Sequence, residues 1–93
     1  MDNIINKNEI QLATNVIQKI RMMFKYDKHL KNLISRPASV QMEEQEGELV
    51  LDYIKFDDYD TIYVYRNQIV YSPEFGKSEI LMEYENFDKL LEL

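Results

Sequence analysis

The chain has 93 residues, one domain's worth, with 45% hydrophobic and 12% aromatic content, enough for one modest core and too much for a disordered chain. It has no cysteine, which excludes disulfide staples, a thiolate metal site and a cysteine nucleophile, and only two glycines, Gly47 and Gly76, which excludes a glycine-rich phosphate loop of P-loop or Rossmann type. The net charge of −6 is unevenly spread: residues 1–37 carry seven Lys or Arg against three acids, and residues 38–93 carry four against fourteen.

Residues 1–7 read as frayed or extended, with neither a signal-peptide pattern nor an apolar run long enough to span a membrane. Asn6 with Glu9, or Asn8 with Gln11, has the spacing of a capping box. Ile10, Ala13, Val16, Ile17, Ile20 and Phe24 then recur at three- and four-residue intervals, the spacing of one helix face. Tyr26, Leu30, Leu33 and Ile34 fall out of phase with that stripe. A straight helix of this whole segment would be ~42 Å long. The expectation is therefore a long bent helix or two consecutive helices, with the break near Met22–Asp27 and Asp27 capping the second segment. Arg36-Pro37 ends the helical region, because proline pushes its predecessor out of helical geometry.

After Pro37 the period becomes two. Val40 and Met42 alternate with Gln41 and Glu43, Glu46-Gly47 reads as a hairpin turn, and Leu49 to Phe56 is apolar on both faces, as in a central strand. Asp57 to Asp60 is a loop, and Thr61–Arg66 and Gln68–Ser72 form a second hairpin about Arg66-Asn67. Glu79 to Glu85 alternates, with Ile80, Met82 and Tyr84 expected inward. Asn86 is placed to cap a short helix that uses Phe87, Leu90 and Leu91. A helical region followed by a run of strands is the α+β pattern: a single domain over 1–93, with the N-terminal helical region packed on a four- to five-stranded antiparallel sheet and a short C-terminal helix.

Little in the chain suggests catalysis. His29, the only histidine, lies among Lys25, Lys28 and Lys31 and reads as a solvated helix residue with no triad partners. Asp57, Asp58 and Asp60 do not match an EF-hand loop and read as a turn, so no metal site and no cofactor is expected. Two binding surfaces stand out instead. Arg21, Lys25 and Lys28 would share one arc of a continuous helix and could meet phosphates, although the acidic half of the chain argues against direct nucleic-acid binding. If Ile62, Val64, Ile80, Met82, Val40 and Met42 face the helix, the other sheet face shows Tyr63, Tyr65, Gln41, Glu43, Glu83 and Glu85, with Asp57, Asp58 and Asp60 at one end. Same-face residues on a strand stand ~6.7 Å apart, so this would be a regular array of phenols and carboxylates. Tyrosine is enriched at interfaces and carboxylate arrays steer association with basic partners.

The expectation is thus a small non-enzymatic cytoplasmic regulator or inhibitor. It would dock by Asp57, Asp58, Asp60, Tyr63, Tyr65, Glu83 and Glu85 on a protein partner with a basic surface, in one version a nucleic-acid-handling protein whose ligand the acids imitate. A structural homodimer pairing the basic helix of one copy with the acidic sheet of another is the alternative. Nucleic-acid binding through Arg21, Lys25 and Lys28 is a third reading.

Overall fold

The computed structural model describes residues 4–5 and 7–93; residues 1–3 and Asn6, with the cap expected at Asn6, lie outside the described residues. Ile4 and Ile5 are extended and form a short strand, β1 (Ile4–Ile5). Helix α1 (Lys7–Met23) follows and buries Ala13, Val16 and Ile20, the centre of the predicted stripe. Asn8 lies inside this helix, so it is not the cap. The Glu9 carboxylate accepts the Leu51 N–H at 3.1 Å.

The helical region breaks where its two stripes lose phase. The Asp27 carboxylate accepts the His29 and Leu30 N–H groups at 2.9 and 3.0 Å, closing a turn that starts the one-turn helix α2 (Lys31–Ile34). Leu30, Leu33 and Ile34 are buried from this second segment. The Arg21 guanidinium donates to the carbonyls of Ile34 and Arg36, both at 2.9 Å, and so satisfies acceptors that a helix end leaves orphaned.

Five antiparallel strands form the sheet: β2 (Ala38–Gln45), β3 (Glu48–Asp57), β4 (Thr61–Val64), β5 (Gln68–Ser72) and β6 (Glu79–Glu83), paired in that order. Glu46 and Gly47 join β2 to β3 with φ of 52° and 84°, the two positive values that a tight twisted hairpin turn requires. β3 is the central strand. β2 lines one of its edges, while β1 pairs in parallel with Glu48 and Leu49 on the other and β4 pairs with Ile54 to Asp57. Between those two partners the Leu51 N–H and C=O are served by side chains, Glu9 from α1 and the Arg66 Nε at 3.2 Å. An edge that would otherwise lack partners is thereby sealed.

Two bulges decide which residues point where. In β3, Tyr53 pairs with Gln41 and Leu51 with Met42, so Asp52 is an extra residue and the alternation reverses across it. Leu51, Ile54 and Phe56 therefore share the buried face. In β6, Met82 pairs with Ile69 but Ile80 pairs with Val70, leaving Leu81 extra. Ile80, expected to face the helices, is turned outward by this bulge and is 53% exposed.

The helices lie on the face that carries Ile54, Phe56, Ile62, Val64 and Ile69, and one core joins these to Val16, Ile20 and Ile34. The Asn86 side chain accepts the Lys89 N–H at 2.9 Å and caps α3 (Phe87–Leu91), which buries Phe87 and Leu90 against α1. The Tyr84 hydroxyl reaches back between the carbonyls of Tyr65 and Gln68, and its burial pushes the phenol pKa well above the ordinary tyrosine value.

Candidate functional site: the open face of the sheet

The other face of the sheet carries no helix among the described residues. Reversal of β3 at Asp52 brings Tyr53 to this face, beside Tyr63 on β4 and Tyr65 just past its end. The Tyr63 and Tyr65 rings stack, 5.5 Å apart and 6° from parallel. Tyr53 leans on both, with centroids 6.1 Å from Tyr63 and 5.5 Å from Tyr65 and the planes tilted by 58° and 53°. All three are half-buried, largely by one another. Burial raises the Tyr65 pKa, with smaller contributions from Tyr63, Tyr53 and the Asp52 carboxylate nearby.

From Tyr63 the strand register continues the patch sideways: Tyr63 pairs with Val70 and Val70 with Ile80. The open face thus holds three phenols and two aliphatic side chains in a continuous array. Charges frame it. Glu83 stands exposed opposite Gln68, the Lys55 ammonium lies 3.8 Å from Asp57, and Arg66 lies 3.1 Å from Glu43. The Glu43 carboxyl is held below its ordinary pKa by hydrogen bonds from Gln45 and Arg66.

Of the residues singled out in the sequence, Tyr63, Tyr65 and Glu83 share this face. Glu85 is exposed beyond the end of β6, past the inward-facing Tyr84. The acidic loop is occupied with internal bonds. Asp57 accepts from Thr61 at 2.9 Å, Asp58 pairs with Arg36 at 3.0 Å, and Asp60 accepts the Tyr71 hydroxyl at 2.5 Å and the Glu74 N–H at 2.9 Å. Tyr53, Val70 and Ile80 are the members of the patch that the sequence reading did not assign to it. Val70 follows from the simple alternation of β5, whereas Tyr53 and Ile80 are placed by the two bulges, and a bulge leaves no mark in a period-two pattern.

His29 is exposed, as expected, but it lies in a turn, not in a helix, and its ring has a partner. Its Nε2 is 2.8 Å from the Tyr71 hydroxyl, and the two rings meet edge to face at 5.3 Å. Since that hydroxyl donates to Asp60, it accepts from His29, which makes a chain from His29 through Tyr71 to Asp60. The Asp60 carboxyl is held below its ordinary pKa, first by the Tyr71 bond and then by the Glu74 N–H, and Tyr71 is pushed up to about 12 by the same bond. A phenol so hard to ionise is a weak acid, and its phenolate is scarcely populated at neutral pH. The chain ties the turn before α2 to the β3–β4 and β5–β6 loops. No group of three or more metal-ligating side chains is clustered among the described residues.

The basic arc takes a different form from the expected one. α1 ends at Met23, so Arg21, Lys25 and Lys28 do not lie along one helix. Arg21 is spent on the Ile34 and Arg36 carbonyls and lies 5.8 Å over the Phe56 ring, Lys25 sits 4.8 Å over Tyr26, and Lys28 is exposed in the turn. No described helix is long and apolar enough to cross a membrane. Comparisons with protein-family models, curated proteins and solved structures return no match.

Proposed function

We propose that this protein is a non-enzymatic regulator that docks by the open face of its sheet on a protein partner with a basic surface. One observation carries the reading: Tyr53, Tyr63, Tyr65, Val70 and Ile80 form a contiguous aromatic and aliphatic patch on the sheet face without helices. Tyrosine supplies broad, rigid contact area at small entropic cost and keeps a polar tip in water while the face is free. Glu43 is already paired with Arg66, but the exposed Glu83 and the Asp52 carboxylate beside Tyr65, on a chain of net charge −6, favour a partner whose contact rim is lysine- or arginine-rich.

The contribution of the acids is narrower than the sequence implied. Asp57 and Asp58 already face cations and Asp60 a phenol, so the patch centre, not the acidic loop, provides the adhesion. Nucleic-acid-handling proteins, whose binding surfaces are basic, are one class of partner that fits. The absence of cysteine suits a reducing cytoplasm.

The test compares proteins captured from an extract of the native host by wild type, by Tyr63→Ser/Tyr65→Ser and by Glu83→Lys. A partner held by wild type should be lost by the double variant. With Glu83→Lys it should be held more weakly, and the deficit should shrink as salt rises, because screening removes the charge contribution. If the double variant, folded by circular dichroism, captures the same proteins at the same level, the open face is not the docking surface.

A further inference from the structure

The two outer edges of the antiparallel sheet differ in protection. β6 is five residues long, begins and ends in glutamate and carries a bulge at Leu81, devices that discourage another strand from adding to an edge. β2 is eight residues long and, among the described strands, pairs with β3 alone. The extra residue of its ladder belongs to β3, so β2 itself is regular. Its first half, Ala38 to Met42, has no charge and no proline. Beside it runs an apolar groove of about 280 Å³, walled by Ile10, Ala13, Thr14 and Ile17 of α1 and by Val40 and Met42 of β2. Ile10 is 51% and Val40 39% exposed there.

From these features we infer that the β2 edge and its groove pair with a second copy of this chain, β2 against β2, about a twofold axis at Gln41. The argument for a second copy is self-complementarity. Along β2 the even residues face the helix side and the odd residues the open face, so an antiparallel partner must keep that parity. Centred on Gln41, residues 38–44 of both copies pair: Val40 stands opposite Met42 of the second copy, Ser39 opposite Glu43, and Ala38 opposite Glu44 at the ends of the ladder, away from the Val40–Met42 contacts. No carboxylate then opposes another. Centred on Met42, Val40 would oppose Glu44 and bring a carboxylate against the groove. Centred on Val40, only residues 38–42 would pair.

The area is sufficient. The paired edge is ~24 Å long, and the wall formed by strand and helix is ~20 Å high. Both copies together would bury ~1,000 Å², the lower bound for a specific interface, so the dimer is concentration-dependent. In this arrangement Ile10 and Ile17 of each copy cover the Val40–Met42 contacts from the helix side. The antiparallel sheet runs unbroken through both copies. Because the twofold axis is perpendicular to the sheet, both tyrosine clusters emerge on the same side. The dimer does not depend on the docking role of that face.

The test uses sedimentation over micromolar to submillimolar concentration and one introduced thiol. Wild type should shift from monomer to dimer over that range. Val40→Lys, at a partly exposed site, should lose the dimer while keeping its circular dichroism spectrum. The chain has no cysteine, so Gln41→Cys places a single thiol on the axis. Antiparallel neighbours have Cα atoms ~4.5–5.5 Å apart, within disulfide reach, so mild oxidation should link Gln41→Cys into a covalent dimer much faster than Lys77→Cys in the β5–β6 loop. A monomer throughout overturns the proposal, whether the edge is then empty or taken by another protein's strand. So does a dimer that survives Val40→Lys, or equal cross-linking of the two cysteine variants.

Discussion

Under the helices the sheet is aliphatic and closed: Ile54, Phe56, Ile62, Val64 and Ile69 have no accessible surface. The other side of the sheet carries Tyr53, Tyr63, Tyr65, Val70 and an exposed Ile80. The covered side provides the hydrophobic driving force, roughly in proportion to the apolar area withdrawn from water. The open side is already half-dry, since three rings shield one another, yet each phenol keeps contact with solvent. A surface of that kind costs little to leave exposed and gains from being covered, which is the physical basis for the proposal that one face stabilises the fold and the other recognises a partner.

Substitutions should separate the two faces by magnitude. Phe56→Ala, on the covered side, should cost about 3–5 kcal/mol through lost burial and the cavity left behind. Urea unfolding should show the fall as a lower midpoint. Tyr84→Phe removes a hydroxyl shared between the Tyr65 and Gln68 carbonyls at the border of the core. A loss of about 1–2 kcal/mol is expected for a buried bond that water cannot replace. Asn86→Ala should cost about 1 kcal/mol by removing the cap of α3, read as earlier thermal unfolding. Tyr63→Ser, on the open side, should cost less than ~1 kcal/mol, the scale of a cross-strand aromatic pair, while abolishing capture of the partner. A larger loss of stability than for Phe56→Ala would reverse the division between the faces.

Alkaline titration sharpens the same contrast without mutation. Tyr71 is raised to about 12 by its bond to Asp60, and Tyr84 is raised by burial. For a group whose folded pKa lies above its unfolded value, the stabilisation is complete below the unfolded value, ~10 for tyrosine, and is lost as pH climbs through the folded one. Stability should therefore decline between about pH 10 and 12, and phenolate absorbance should show Tyr71 and Tyr84 ionising late among the seven tyrosines. Tyr71→Phe should remove the Tyr71 part of that alkaline loss and let the Asp60 carboxyl return toward its ordinary pKa, readable by carboxylate NMR shifts.

Local chemistry made several elements legible in the residues alone. Three- and four-residue spacing marked α1, and the loss of phase after Phe24 marked the break that Asp27 then stabilises. Glu46-Gly47 announced its turn, and Asn86 its cap. Each of these rests on bonds within a few residues, so composition and spacing contain the whole cause. The α+β class followed from the order in which the two periods appear.

What only the tertiary structure decided concerns partners distant in the chain. Pairing of β1 with β3 depends on the hairpin bringing Glu48 within reach of Ile4. Asp52 and Leu81 become extra residues only against the neighbouring strand, and those two offsets bring Tyr53 and Ile80 to the open face. The acids of the β3–β4 loop looked like free charge until Arg36, Lys55, Tyr71 and the Glu74 N–H were placed beside them. A period shows which side of its own strand a residue takes; register and long-range ion pairing, which are properties of two segments at once, determine what that side meets.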